Sequence, residues 1–207
     1  MKVKEMRKFI KHIEKNFHQE CETVLHGVVD NDDVHIDVLY LGPTEEFPFN
    51  KLITMGESDF KLPEKNYRKI DRNEYMIFFD KDIKVSKEDS EWMFYLNALM
   101  NTAEFARTTN TFVCYGHDVY YEYEDSDMVS TLILFPEVMP DANILVAKLG
   151  LTKKCMCYQV MPITKEEYDY DLKYGPMKLI TDYFYKDDDL DKCLYLAQKI
   201  RKKVNWW

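Results

Sequence analysis

Apolar residues recur at three- and four-residue spacing through Val3, Met6, Phe9/Ile10, Ile13 and Phe17, which predicts an amphipathic helix over 2–17 with a Lys/Glu outer face. The period then shortens. Thr23 to Val29 reads as a strand, and Asp30-Asn-Asp-Asp33 as a turn in which short side chains bond the local backbone. Val34 to Leu41 alternates with a period of two and completes a hairpin. Gly42-Pro43 ends it and opens a loop in which Phe47 and Phe49 read as exposed. Apolar strands follow at 51–55 and 74–79, then the clearest helix, 87–107. Ser86 is its expected N-cap, and Glu88, Asp89 and Glu91 suit the positive helix start. Trp92, Tyr95/Leu96, Leu99 and Ala103/Ala106 give its buried stripe.

The second half is strand-rich, with segments at 111–115, 118–123, 129–135, 143–149 and 154–162 separated by Gly116, Asp125-Ser-Asp127, Pro136 and Gly150. A short helix, 164–171, starts after Thr164 with Glu166 and Glu167 in its first turn. Asp187-Asp-Asp189 opens a last helix reaching Lys203, acidic at its start and basic at its end, as the helix dipole favours. With neither repeat nor linker, 1–207 is expected to be a single α+β domain. Its sheet is expected to be mixed and largely antiparallel, flanked by helices.

Composition narrows the function classes. The 207 residues are 46% hydrophobic, and a chain of this length buries roughly 70% of its unfolded surface. A net charge of −9 repels phosphate backbones, so direct nucleic-acid binding is not expected. The same charge attracts a basic partner and speeds its encounter. Five cysteines form no disulfide framework, and no run approaches a membrane span or a signal core. The expected setting is the reducing cytoplasm, without membrane attachment.

Several short motifs stand in a fixed order. His35-x-Asp37 is followed by Leu52-Ile-Thr54-x-Gly56-x-Ser58 and by Arg72-x-Glu74. Asn110-Thr-Phe-Val-Cys-Tyr-Gly-His-Asp118, Thr131-Leu-Ile-Leu-Phe-Pro136 and Tyr158-Gln-Val-Met-Pro-Ile-Thr-x-Glu-Glu167 come after. In this order, from about residue 20 to 180, the chain resembles the Suppressor of fused family. The resemblance implies the fold of the N-terminal domain of the animal proteins. There a second domain follows, and the two clamp an extended peptide of a zinc-finger transcription factor. The 207 residues stop short of such a second domain, so a stand-alone, bacterial-type member is expected. Stand-alone bacterial members are associated with immunity proteins that neutralise toxins passed between competing cells. The animal ligand contact lies at a Gly-Asp-His turn. Here the order is Gly116-His117-Asp118, which leaves both His117 and Asp118 as candidates, with Phe105 as their aromatic neighbour.

His35 and Asp37 share a strand face and with His117 could form a two-histidine, one-carboxylate metal site. Spacing supplies no further ligand, so no metal or other cofactor is expected; His35 should bond within the domain and Asp37 accept backbone or Arg donors. Arg72 and Glu74 are expected to pair structurally with Asp37 or Glu57. Ser58 lacks the second Gly of a nucleophile elbow. Cys155-x-Cys157 is expected to be buried and structural, since one pair makes a poor zinc site. Tyr115, Tyr120, Tyr121 and Tyr123 suit either a half-buried edge strand or a binding surface. Trp206 and Trp207 fit a core cap or an exposed end equally.

The expected function is that of a non-catalytic immunity protein that binds a basic bacterial toxin through Phe105, Tyr115, His117, Asp118, Tyr121, Tyr123, Asp125 and Asp127. His35, Asp37, Thr54, Gly56, Ser58, Arg72 and Glu74 serve it as a structural motif. The alternatives are a metal-assisted hydrolase using His35, Asp37 and His117, or a general regulatory peptide-binding module.

Overall fold

A computed structural model describes residues 1–31, 34–63, 70–86, 90–123, 126–136 and 142–184. The expected helix 187–203, Cys193, Asp125, the 87–89 start of the long helix and the two terminal tryptophans lie outside them. Helix α1 (Val3–Phe17) is followed by strands β1 (Thr23–Asn31), β2 (Val34–Leu41), β3 (Phe49–Met55) and β4 (Asn73–Asp80), then helix α2 (Ser90–Thr108). Strands β5 (Asp118–Tyr120), β6 (Met128–Leu134), β7 (Val146–Lys148) and β8 (Lys154–Thr164) follow, with helices α3 (Lys165–Tyr174) and α4 (Pro176–Leu179) after them.

These strands form one sheet in the order β1-β2-β3-β4-β8-β6-β5, with β7 paired to β8 off that path. The β4–β8 pair is parallel and the others are antiparallel. The fold is therefore α+β with a mixed, largely antiparallel sheet.

Alternation on the central strands sorts side chains to the two faces. Ile36, Val38, Leu52, Tyr75, Ile77 and Phe79 meet Trp92, Leu99 and Ala103 of α2. Leu39, Ile53, Met76 and Phe78 meet Phe9, Ile13 and Phe17 of α1 on the other face. Covered on both sides, β3 is buried along its whole length, and its polar side chains Asn50, Lys51 and Thr54 are each hydrogen-bonded there. Thr164 caps α3 through a reciprocal box with Glu167.

Four sequence expectations are corrected. Phe47 and Phe49 are buried, not exposed. With Phe17 they surround the Lys51 ammonium at 5.3–5.9 Å from each ring centre, and Lys51 donates to the carbonyls of Gly42, Phe47 and Phe49. Burial lowers its pKa to about 8. Residues 111–115 are not a strand. Phe112, Val113 and Cys114 are buried, but the Val113 carbonyl accepts from the Asn73 side chain at 2.9 Å. Strand β5 ends at Tyr120 instead of continuing to 123. Within 143–149, a 3-10 turn over Ala142–Leu145 precedes the short β7.

Candidate functional site

Two polar constructions stand out, one inside the sheet and one at its edge. The first grows from the chain reversal after β3. Glu74, fully buried on β4, accepts from Thr54 Oγ1 at 2.7 Å and from the Gly56 and Ser58 backbone N–H groups at 2.9 Å. Three donors compensate a carboxyl that water cannot reach. Burial nevertheless raises the Glu74 pKa to about 7.

Gly56 turns the chain with φ 134, and a Cβ there would stand 2.4 Å from the His35 carbonyl oxygen. Arg72 closes the turn from outside, its Nη1 donating to the carbonyls of Ser58 and Asp59 at 2.8 and 2.9 Å. The motif residues Thr54, Gly56, Ser58, Arg72 and Glu74 thus meet in one network. Arg72 Nη1 serves the turn carbonyls and not the expected Asp37 or Glu57, while its Nε lies 3.8 Å from the Asp71 carboxylate.

Asp37 lies apart on β2. Its Oδ1 receives the Gly27 N–H at 3.0 Å, with His35 Nε2 at 3.0 Å and His26 Nδ1 at 3.3 Å. His117 is not its neighbour: β3, β4, β8 and β6 lie between β2 and β5, which His117 precedes. Among the described residues, no group of three or more His, Cys, Asp or Glu could hold a metal ion. Cys155 and Cys157 are both buried in the α1-side core.

Glu57 lies in the 3-10 turn Glu57–Asp59. It is 4% exposed, and burial together with the nearby Glu74 carboxyl raises its pKa to about 9.

The second construction is the end of the sheet. β5 is the last strand in the order and pairs with β6. Gly116, with φ +79, lets the preceding turn bond on both sides: its N–H donates to Ile133, whose N–H donates to the His117 carbonyl. His117 is exposed, with Nε2 3.6 Å from Cys114 Sγ. Tyr115 stacks on Phe135 with ring centres 4.3 Å apart. Phe105 and Tyr115 are both half-buried against the α2-side core.

Asp118 faces Asp171 of α3. Burial and the neighbouring Asp118 carboxyl raise Asp171 to about 6. Tyr120 and Tyr121 are 44% and 48% exposed, whereas Tyr123 is half-buried. Asp127 is exposed beyond them. The described candidates Tyr115, His117, Asp118, Tyr121, Tyr123 and Asp127 therefore lie in β5 or in the chain segments next to it and to its partner β6, whereas Phe105 stands on α2 against the core. Sequence reasoning missed Asp171 and Tyr168, the latter packing on Tyr120 with ring centres 5.1 Å apart. Their spacing on α3 marks them only as ordinary surface residues.

No described helix is long and apolar enough to cross a membrane. No curated protein matches the chain in sequence. Among solved structures, the chain is similar to the Sufu–Fu complex crystal structure, with 11% identity and a TM-score of 0.65 over 96% of this chain and 91% of that one. It is also similar to a SUFU homolog from Neisseria gonorrhoeae, with 14% identity and a TM-score of 0.65 over 91% of this chain and 93% of that one. Drosophila Suppressor of fused matches with 12% identity and a TM-score of 0.62, over 94% of this chain but 49% of that one. At these identities the likeness concerns the fold alone. The family model for Suppressor of fused protein (SUFU) matches residues 32–191, and the chain belongs to that family.

Proposed function

We propose that this chain is a non-catalytic binding protein that neutralises a basic bacterial toxin domain by occluding it. The observation that carries the reading is the end of the sheet. Among the described residues β5 pairs with β6 alone and stands beside the exposed Tyr120 and Tyr121 and the carboxylates Asp118 and Asp127. An unpaired strand edge offers backbone donors and acceptors to an incoming chain. Tyrosine adds large contact area at low entropy cost. The net charge of −9 favours a basic partner.

Membership of a family that includes the Sufu of a Sufu–Fu complex supports a protein partner. The hydrolase alternative loses its basis because His117 stands far across the sheet from His35 and Asp37.

The test is co-expression with the product of the adjacent reading frame. Rescue of growth from an otherwise lethal product supports the immunity role. A product harmless alone, or equally lethal with this chain present, overturns it and leaves the general peptide-binding module.

A further inference from the structure

Beside the β5 edge, a groove of about 500 Å³ separates α2 from residues 121–123. Phe94, Tyr121 and Tyr123 form three of its walls. Tyr123 lies between the other two rings, 5.0 Å from Phe94 at 69° and 5.1 Å from Tyr121 at 49°. Asn97 and Asn101, one helical turn apart on α2, place side-chain amides on the same groove, and Glu122 stands in its lining. The Tyr120 hydroxyl donates to Glu122 Oε1 at 2.7 Å and so orients that carboxylate.

We propose that this groove receives an arginine side chain of a basic protein partner. The inference rests on the reading of the chain as a protein-binding domain and names the chemistry that its surface selects.

Three kinds of group converge on that choice. Aromatic faces attract a cation that comes within about 6 Å of the ring centre. Amide carbonyls and a carboxylate accept hydrogen bonds, and a guanidinium offers five donors in a plane that also stacks on rings. An ammonium would use the charge but not the plane. The fold already holds a cation among three rings elsewhere, at Lys51 between Phe17, Phe47 and Phe49. That box is filled by the chain's own side chain and carbonyls. The groove at Phe94, Tyr121 and Tyr123 is open to solvent on its Tyr121 and Glu122 side, both residues being exposed. Burial holds the Tyr123 hydroxyl neutral, so the ring stays an uncharged wall.

The experiment is an NMR titration of the full chain with acetyl-Gly-Arg-Gly-amide, with its citrulline analogue and with tetramethylammonium. Citrulline keeps the shape of arginine without its charge. The arginine peptide is expected to shift the Asn97 and Asn101 side-chain amides and the Tyr121 and Tyr123 ring signals saturably. It should bind at least about threefold more tightly than citrulline, the scale of an exposed cation–π contact. Tyr121→Ala and Glu122→Gln should each weaken it by a similar factor, with the remaining spectrum unchanged.

Equal binding of arginine and citrulline overturns the proposal. So do shifts scattered over the acidic surface and indifferent to both variants, or saturable binding of tetramethylammonium without the arginine peptide. The peptide carries no toxin, so failure of neutralisation and failure of this groove are read separately.

Discussion

Glu57→Gln probes a carboxyl that the fold keeps protonated. Glu57 is 4% exposed, and its Oε2 has no hydrogen-bond partner among the described residues. Burial and the Glu74 carboxyl raise its pKa from 4.5 to about 9. The unfolded chain releases this proton as pH passes the ordinary value, whereas the folded chain holds it until much higher pH. The folded state therefore binds more protons, and stability falls as pH rises through that window. From about pH 5 to about pH 8, at ~1.4 kcal/mol per unit, the loss from this group is on the order of 4 kcal/mol. Such a loss is a large share of a typical domain's ~5–15 kcal/mol.

Glutamine resembles the protonated acid in shape and does not titrate, so the variant should match the parent at the lower pH and exceed it at the higher. Urea unfolding followed by fluorescence at both values measures the difference. Parallel loss of stability in the two proteins would mean that Glu57 is ionised in the folded state, and the reasoning would fail.

The other predictions concern the scaffold and the edge. Trp92 packs against Phe79 and Tyr40 with ring centres 5.9 and 6.3 Å away, so Trp92→Ala should cost ~3–5 kcal/mol in chemical unfolding. Unchanged stability would refute the α2 packing. At Gly56, the positive φ and the 2.4 Å approach to the His35 carbonyl predict that Gly56→Val lowers soluble yield and melting temperature. A β-branched residue there carries at least ~1–3 kcal/mol of backbone strain; a fully stable variant that had lost binding alone would contradict this. Asp118→Lys with Asp127→Lys should slow association with a basic partner about tenfold at low salt. Replacing the Asp118 carboxyl by an ammonium also removes the repulsion that raises Asp171, so circular dichroism should show an intact fold; an unchanged on-rate would exclude steering from this edge.

Elements whose pattern is set locally were legible in the sequence. The apolar stripe at Phe9, Ile13 and Phe17, the alternation of Val34–Leu41 and the acidic first turn of the helix after Thr164 each act within one element, and each is observed. What stayed hidden depends on distant partners. Phe112-Val-Cys114 has a strand's apolarity, yet its backbone is satisfied by Asn73 instead of a ladder neighbour. Phe47 and Phe49 sit among Glu45, Glu46 and Pro48 and read as a loop, but Lys51 beneath them turns inward to the carbonyls they carry.

At the candidate site, the order of motifs brought out the Gly56 turn and the Gly116-His117-Asp118 segment. It could not show that Asp171 of α3 would face Asp118, nor that Asn97 and Asn101 would face Tyr121 and Tyr123. Those neighbours are created by the packing of helices on the finished sheet.

The central claim is that a protein partner docks along the β5 edge. The most direct measurement is hydrogen–deuterium exchange of this chain, alone and with the purified product of the adjacent reading frame. The account predicts a stoichiometric complex in which amides over 117–123 become protected. A complex that protects other surfaces and leaves those amides unchanged, or no complex at all, would contradict it.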